Sequence, residues 1–82
     1  MANYKRGPKY HAGTYTGDML NGEPHGVGVL NYDNGDVHKG HYKDGKRHGP
    51  GVYIFTDGAV ERGVWDKGFI VEIHTLKRSA NK

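Results

Sequence analysis

Between Tyr15 and His74 the chain alternates short runs of Val, Tyr, Ile, Phe and Thr with glycine-bearing polar dipeptides. Within the runs, large and small or polar side chains alternate residue by residue, which is the period of a strand and not of a helix. No apolar stripe recurs at helical spacing, and no capping residue leads into one. Two kinds of turn signal separate the runs. Asn21-Gly22 and Asp44-Gly45 each open a loop expected to reach His25-Gly26 or His48-Gly49, and Asn34-Gly35 and Asp57-Gly58 form the second kind. Asx-Gly pairs between alternating runs are strong hairpin signals because both residues tolerate positive φ. The pattern predicts an all-β fold: a single curled, twisted antiparallel sheet of stacked hairpins, with six or seven strands.

The alternation also assigns faces. One face carries Tyr15, Gly17, Met19; Gly28, Leu30, Tyr32; His38, Gly40, Tyr42; Gly51, Tyr53, Phe55; and Glu61, Gly63, Trp65. It holds most of the rings, with a glycine inside each set. A bare glycine leaves room for a neighbouring ring over the backbone and lets the sheet bend, so the ring-bearing side is expected to line a trough. The other face is mixed, with an aliphatic patch of Val29, Val52, Ile54 and Val64. One sheet cannot bury both faces unaided, so one of them is expected to meet a partner.

The glycines are periodic. Gly17, Gly40 and Gly63 are 23 residues apart, as are Gly22, Gly45 and Gly68. Aligning 15–37 with 38–60 gives 8 identities in 23 positions, and a partial third copy over 61–74 keeps Gly63 and Gly68 but has Val71-Glu72 in place of His-Gly. Internal repeats of this length indicate an array of one supersecondary unit. The unit, with Tyr15, Gly17, Asn21, Gly22, His25, Gly26, Gly28 and Gly35 in the first copy and Gly40, Tyr42, Asp44, Gly45, His48, Gly49, Gly51, Asp57 and Gly58 in the second, resembles the MORN repeat. The leading aromatic of that repeat is His38 in the second copy and Glu61 in the third, and Met19 takes the bulky strand position of the first. The resemblance implies stacked hairpins and roles in protein scaffolding, cytoskeletal or ciliary assemblies and recruitment near membranes.

At the C-terminal end Trp65-Asp-Lys-Gly-Phe69 reads as a tight turn into a closing strand, where Phe69, Val71 and Ile73 would alternate with Ile70, Glu72 and His74. At the other end Tyr4–Tyr10 is expected to form a capping half-hairpin before a turn at His11-Ala12-Gly13, with Pro8 suited only to an edge. The domain reading is therefore a basic tail over 1–14, the repeat sheet over 15–74 and a second basic tail over 75–82. Charge follows the same division: +3, −3 and +3 across those three stretches, for a net +3.

With 82 residues, 34% hydrophobic residues and 14 glycines, the chain has little core to spare, which weighs against an enclosed active site. It has no cysteine, which excludes thiolate metal sites and disulfides. The longest apolar run is Val52–Phe55, too short for a membrane helix or a signal-peptide core. The expected location is accordingly intracellular, in the cytoplasm or on the cytoskeleton or an organelle.

Among the six histidines, His38 and His41 fall on opposite strand faces, and His25 and His48 stand about 10 Å apart if two strand spacings separate them. Neither pair suits one metal ion, and each imidazole is expected to bond to backbone or to a neighbouring loop. Asp33 and Asp57 are explained by turn chemistry. The lone Ser79 has no base beside it, and Glu72 and His74 read as an edge device. No enzyme and no cofactor are expected. The candidate contact residues are the rings Tyr32, Tyr42, Tyr53, Phe55 and Trp65, the aliphatic Val29, Val52 and Ile54, and, for electrostatic contacts of the tails, Lys5, Arg6, Lys9, Lys77 and Arg78. The expected partner is a larger protein or multi-subunit complex. A homodimer and a weak contact of the tails with an anionic membrane are the alternatives. Stacked rings also suit single-stranded nucleic acid, but the acidic balance of 15–74 opposes it.

Overall fold

The computed structural model describes residues 9–10 and 13–78. Of the expected N-terminal cap, Tyr4 to Pro8, His11 and Ala12 lie outside those residues, as do Lys5, Arg6, Ser79 and Lys82. The strands are β1 (Lys9–Tyr10), β2 (Gly13–Leu20), β3 (Glu23–Tyr32), β4 (Val37–Lys43), β5 (Lys46–Ile54), β6 (Val60–Asp66) and β7 (Phe69–Lys77). Among the described residues they form one antiparallel meander in chain order, with β1 and β7 at its edges. Strand β2 starts before the expected sheet boundary, and β7 carries Thr75–Lys77 into the sheet.

Two turn chemistries alternate along the meander. The turns after β2, β4 and β6 have only two residues, Asn21-Gly22, Asp44-Gly45 and Lys67-Gly68, all with positive φ. This is the type I′ geometry whose twist matches that of the flanking strands. The turns after β3 and β5 are built differently. Gly35 N–H donates to Tyr32 O at 3.0 Å and Tyr32 N–H to Asp36 O at 2.9 Å; Gly58 and Phe55 repeat the pair with Phe55 and Ala59 at 2.9 Å each. With Gly35 at φ 100° and Gly58 at φ 94°, these are three-residue loops closed by a glycine bulge.

The His-Gly pairs were expected in loops but lie inside strands β3 and β5. The reason is a bulge. Between the pairs Met19↔Pro24 and Gly17↔Gly28, β3 holds three residues (His25, Gly26 and Val27) against Asp18 alone on β2. Tyr42↔Arg47 and Gly40↔Gly51 enclose the same excess, His48-Gly49-Pro50 against His41. Asp18 Oδ2 accepts from Val27 N–H at 3.1 Å and so satisfies the first bulge. The third hairpin lacks His-Gly and has smaller shifts in its place.

Beyond the bulges the glycines meet across strands. Gly17 pairs with Gly28, Gly28 with Gly40, Gly40 with Gly51 and Gly51 with Gly63, one continuous row across five strands. Successive hairpins are also tied at their ends: Gly45 N–H donates to Pro24 O at 3.0 Å and Gly68 N–H to Arg47 O at 2.9 Å, the same bond one repeat apart. The resulting slab measures 42 × 23 × 16 Å, too thin for a second packed layer over the whole sheet.

Candidate interaction surfaces

The core of this sheet is a line of rings lying on its own glycine row. Tyr15 packs so closely over Gly28 that a Cβ there would stand 2.1 Å from the phenol oxygen; one at Gly51 would stand 2.7 Å from His38 Nε2. The rings then meet edge to face: Tyr15 with Tyr42 at 5.0 Å, Tyr42 with His38 at 5.6 Å, His38 with Trp65 at 4.5 Å. Tyr15, Leu30, Tyr42, Trp65 and His38 are buried. The phenol O–H groups find backbone acceptors, Tyr15 on Asp18 O at 2.7 Å and Tyr42 on His38 O at 2.8 Å. Burial pushes the Tyr42 phenol up from its usual range.

His38 occupies the place that Tyr15 holds in the first repeat. It is fully buried, and neither ring nitrogen has a hydrogen-bond partner. Burial, and secondarily the charge of Arg47, pull its pKa down to about 4. The sequence reading placed His38 on this face but not as an unsatisfied group at its centre.

Of the predicted contact rings, Tyr42 and Trp65 are therefore consumed by the intramolecular core, while Tyr32, Tyr53 and Phe55 form its partly open rim. Tyr53 lies 5.5 Å from Tyr32 and 4.8 Å from Phe55. The rim is braced by Asp36, a residue that the sequence reading did not single out. Its carboxylate accepts from Tyr53 O–H at 2.8 Å and from Thr56 N–H at 2.9 Å, so one loop is bonded to the equivalent loop of the next repeat. Burial and the neighbouring Asp36 push the Tyr53 phenol up.

Beside the rim runs an open groove of about 490 Å³. Leu30, Tyr32, Tyr42, Tyr53 and Phe69 line it together with Lys46, Arg47 and Lys67, and among the described residues no carboxylate does. Arg47 bridges the two sides: its Nη2 donates to Gly68 O and its guanidinium carbon stands 5.7 Å from the centre of the Tyr53 ring.

The opposite face differs from expectation. Val29, Val52 and Ile54 are half-buried there, but the patch is not continuous. Cross-strand pairing runs Val29–Lys39–Val52–Arg62, so a cation separates Val29 from Val52, while Ile54 stands in a separate aliphatic row between Val37 and Val60. Of the tail cations, Lys9 belongs to β1 and Lys77 ends β7. Arg78 lines a shallow hollow with Phe55, Thr56 and Leu76.

His48 Nδ1 lies 3.5 Å from the Asp66 carboxylate at the end of β6, a strand side chain and not the backbone or loop expected, whereas among the described residues His25 Nδ1 is buried without a hydrogen-bond partner. Glu72 and His74 do bond, at 2.7 Å. Among the described residues no group of acidic, histidine or cysteine side chains has the arrangement of a metal site, and no helix is long and apolar enough to cross a membrane. Compared with known families, residues 15–37 and 38–60 each match the MORN repeat. A comparison with curated proteins finds no match.

Proposed function

Because this chain belongs to the MORN-repeat family, whose units are in general non-catalytic, we propose that it is a non-enzymatic protein-interaction module, a scaffold or accessory subunit of a larger assembly. The observation that carries this reading is the groove on the ring face. An apolar floor of Leu30 and Tyr42 lies between aromatic and cationic walls, a lining suited to an extended peptide that brings aromatic or aliphatic side chains and at least one carboxylate. Tyr32, Tyr53 and Arg47 are the contact residues this reading favours, since Tyr42 and Trp65 are already engaged.

Capture of partners from the native source tests it. Tyr32→Ala, Tyr53→Ala and Arg47→Ala proteins, each shown by circular dichroism to retain the sheet, should recover the partner poorly. Unchanged recovery by all three would refute the groove as the contact. Removal of Arg47 should also weaken the salt dependence of binding, because its guanidinium is the charge nearest the ring wall.

A further inference from the structure

The sheet ends in an edge that looks unlike a protected one. Among the described residues β7 pairs only with β6, and its outer side faces no strand. Four of its large apolar side chains are exposed: Phe69 by 76%, Val71 by 63%, Ile73 by 54% and Leu76 by 50%. A nine-residue edge of this kind is a template for another strand.

The pairing with β6 fixes which way the edge residues face. Trp65, Gly63 and Glu61 of the ring face stand opposite Ile70, Ile73 and Leu76. Strict alternation was expected from the sequence, with Ile70 and Ile73 on different sides; two register shifts remove it and bring both to the ring face. The ring-face residues thus fall at equal steps on either side of Ile73. On the other face Glu72 and His74 flank Ile73, with their side chains 2.7 Å apart.

We propose that β7 is the interface of a two-fold dimer of this chain, pairing antiparallel with β7 of a second copy about Ile73. Only a two-fold axis at that residue overlaps all of β7 with itself. It sets Ile73 opposite Ile73, Ile70 opposite Leu76 and Glu72 opposite His74, each contact made twice. Like faces meet at the centre: Ile73 stands opposite Ile73, Ile70 opposite Leu76 and each Glu72 carboxylate opposite an imidazole, while towards the ends Val71 stands opposite Thr75 and Phe69 lies along the stem of Lys77. Such cross-strand pairs are what stabilise a ladder. The product is one continuous sheet with both ring-face grooves on the same side, an isologous arrangement that closes at two copies. Another protein supplying the strand would have no reason to match the self-complementary centre, Ile70, Glu72, Ile73, His74 and Leu76.

The absence of native cysteine makes the register testable. In the dimer Ile73→Cys lies opposite itself, within about 5.5 Å between Cβ atoms, whereas two copies of Leu76→Cys lie about 20 Å apart along the strands. Mild oxidation should convert Ile73→Cys into a disulfide-linked dimer and leave Leu76→Cys as single chains. By sedimentation the wild-type chain should have twice the 9.1 kDa mass. Glu72→Lys should raise the dimer dissociation constant at least about tenfold, because both cross-strand carboxylate–imidazole pairs are lost and a cationic donor takes the place of each acceptor. Glu72→Lys with His74→Glu should restore it. A wild-type mass of one chain at every concentration, equal crosslinking of the two cysteine variants, or a Glu72→Lys protein as dimeric as wild type would each overturn the proposal. The first outcome would leave the edge to a strand from another protein. Groove variants such as Tyr53→Ala should stay dimeric, so failure here and failure of the groove are separable.

Discussion

His38 meets Trp65 edge-on, with ring centroids 4.5 Å apart and planes at 79°. The two belong to β4 and β6 and touch across the intervening strand because Gly51 of β5, over which the imidazole lies, has no side chain. A basic ring is thereby held where only an apolar one is fully at ease.

The cost should appear as acid sensitivity. The unfolded chain takes up a proton on this imidazole near 6.5, whereas the folded chain holds it off until about 4. Below 6.5 the unfolded state therefore binds more protons, and stability falls as pH is lowered through that window. The full loss attributable to His38 is about 3 kcal/mol at one pKa unit per 1.36 kcal/mol. Urea unfolding of wild type and His38→Phe between pH 7 and pH 4 checks this: the variant should lack this component. At pH 7 the variant should be more stable by about 1 kcal/mol, since two unsatisfied buried nitrogens disappear. Equal slopes for the two proteins would show that the buried imidazole is not the titrating group.

Gly28 should tolerate no side chain. A methyl group there meets the Tyr15 ring, which is itself fixed by the carbonyl of Asp18. Gly28→Ala is expected to cost about 2–3 kcal/mol through overpacking, read as a lower urea midpoint. The double variant with Tyr15→Ala should cost less than the sum of the single changes, since the colliding ring is gone.

Lys67 is a residue out of place. It adopts φ 51°, as Asp44 does, while Asn21 adopts φ 52°, in equivalent two-residue turns. Lysine lacks the short polar side chain that makes this region accessible to asparagine and aspartate. Lys67→Asn should stabilise the protein by about 0.5–1 kcal/mol, detectable as a rise in Tm of a few degrees. No change in Tm would mean the turn is not as tight as its dihedral angles indicate.

Asp36 should matter more than its loop position suggests. Asp36→Ala leaves the Tyr53 hydroxyl and the Thr56 amide without their acceptor, an expected loss of about 2–3 kcal/mol. The Tyr53 phenol, no longer held up by the adjacent carboxylate, should titrate closer to its ordinary range. Proton NMR of the Tyr53 ring against pH gives that shift directly.

How much was legible beforehand differs element by element. Asn21-Gly22 and Asp44-Gly45 announced their hairpins because a positive φ at two consecutive positions demands such residues. Tyr15, Leu30, Tyr42 and Trp65 were correctly placed on one face, because the alternation is local to each strand. The His25-Gly26 and His48-Gly49 pairs were misplaced into loops: a bulge is a property of two strands in register, invisible in either alone. Tyr42 and Trp65 looked like contact residues because sequence cannot tell a ring covered by its neighbours from one left open. Asp36 carried no signal, since its partners lie 17 and 20 residues away.

The sequence by itself determined the repeat, the turns and the side on which the rings fall, because each depends on a few adjacent residues and their backbone preferences. Only the tertiary structure decided that five glycines join into one row, that His38 loses its water there, and that β7 turns Ile70 and Ile73 to the same face. Those outcomes depend on which residues of distant strands stand opposite one another, and that register is set by bulges and packing across the whole sheet.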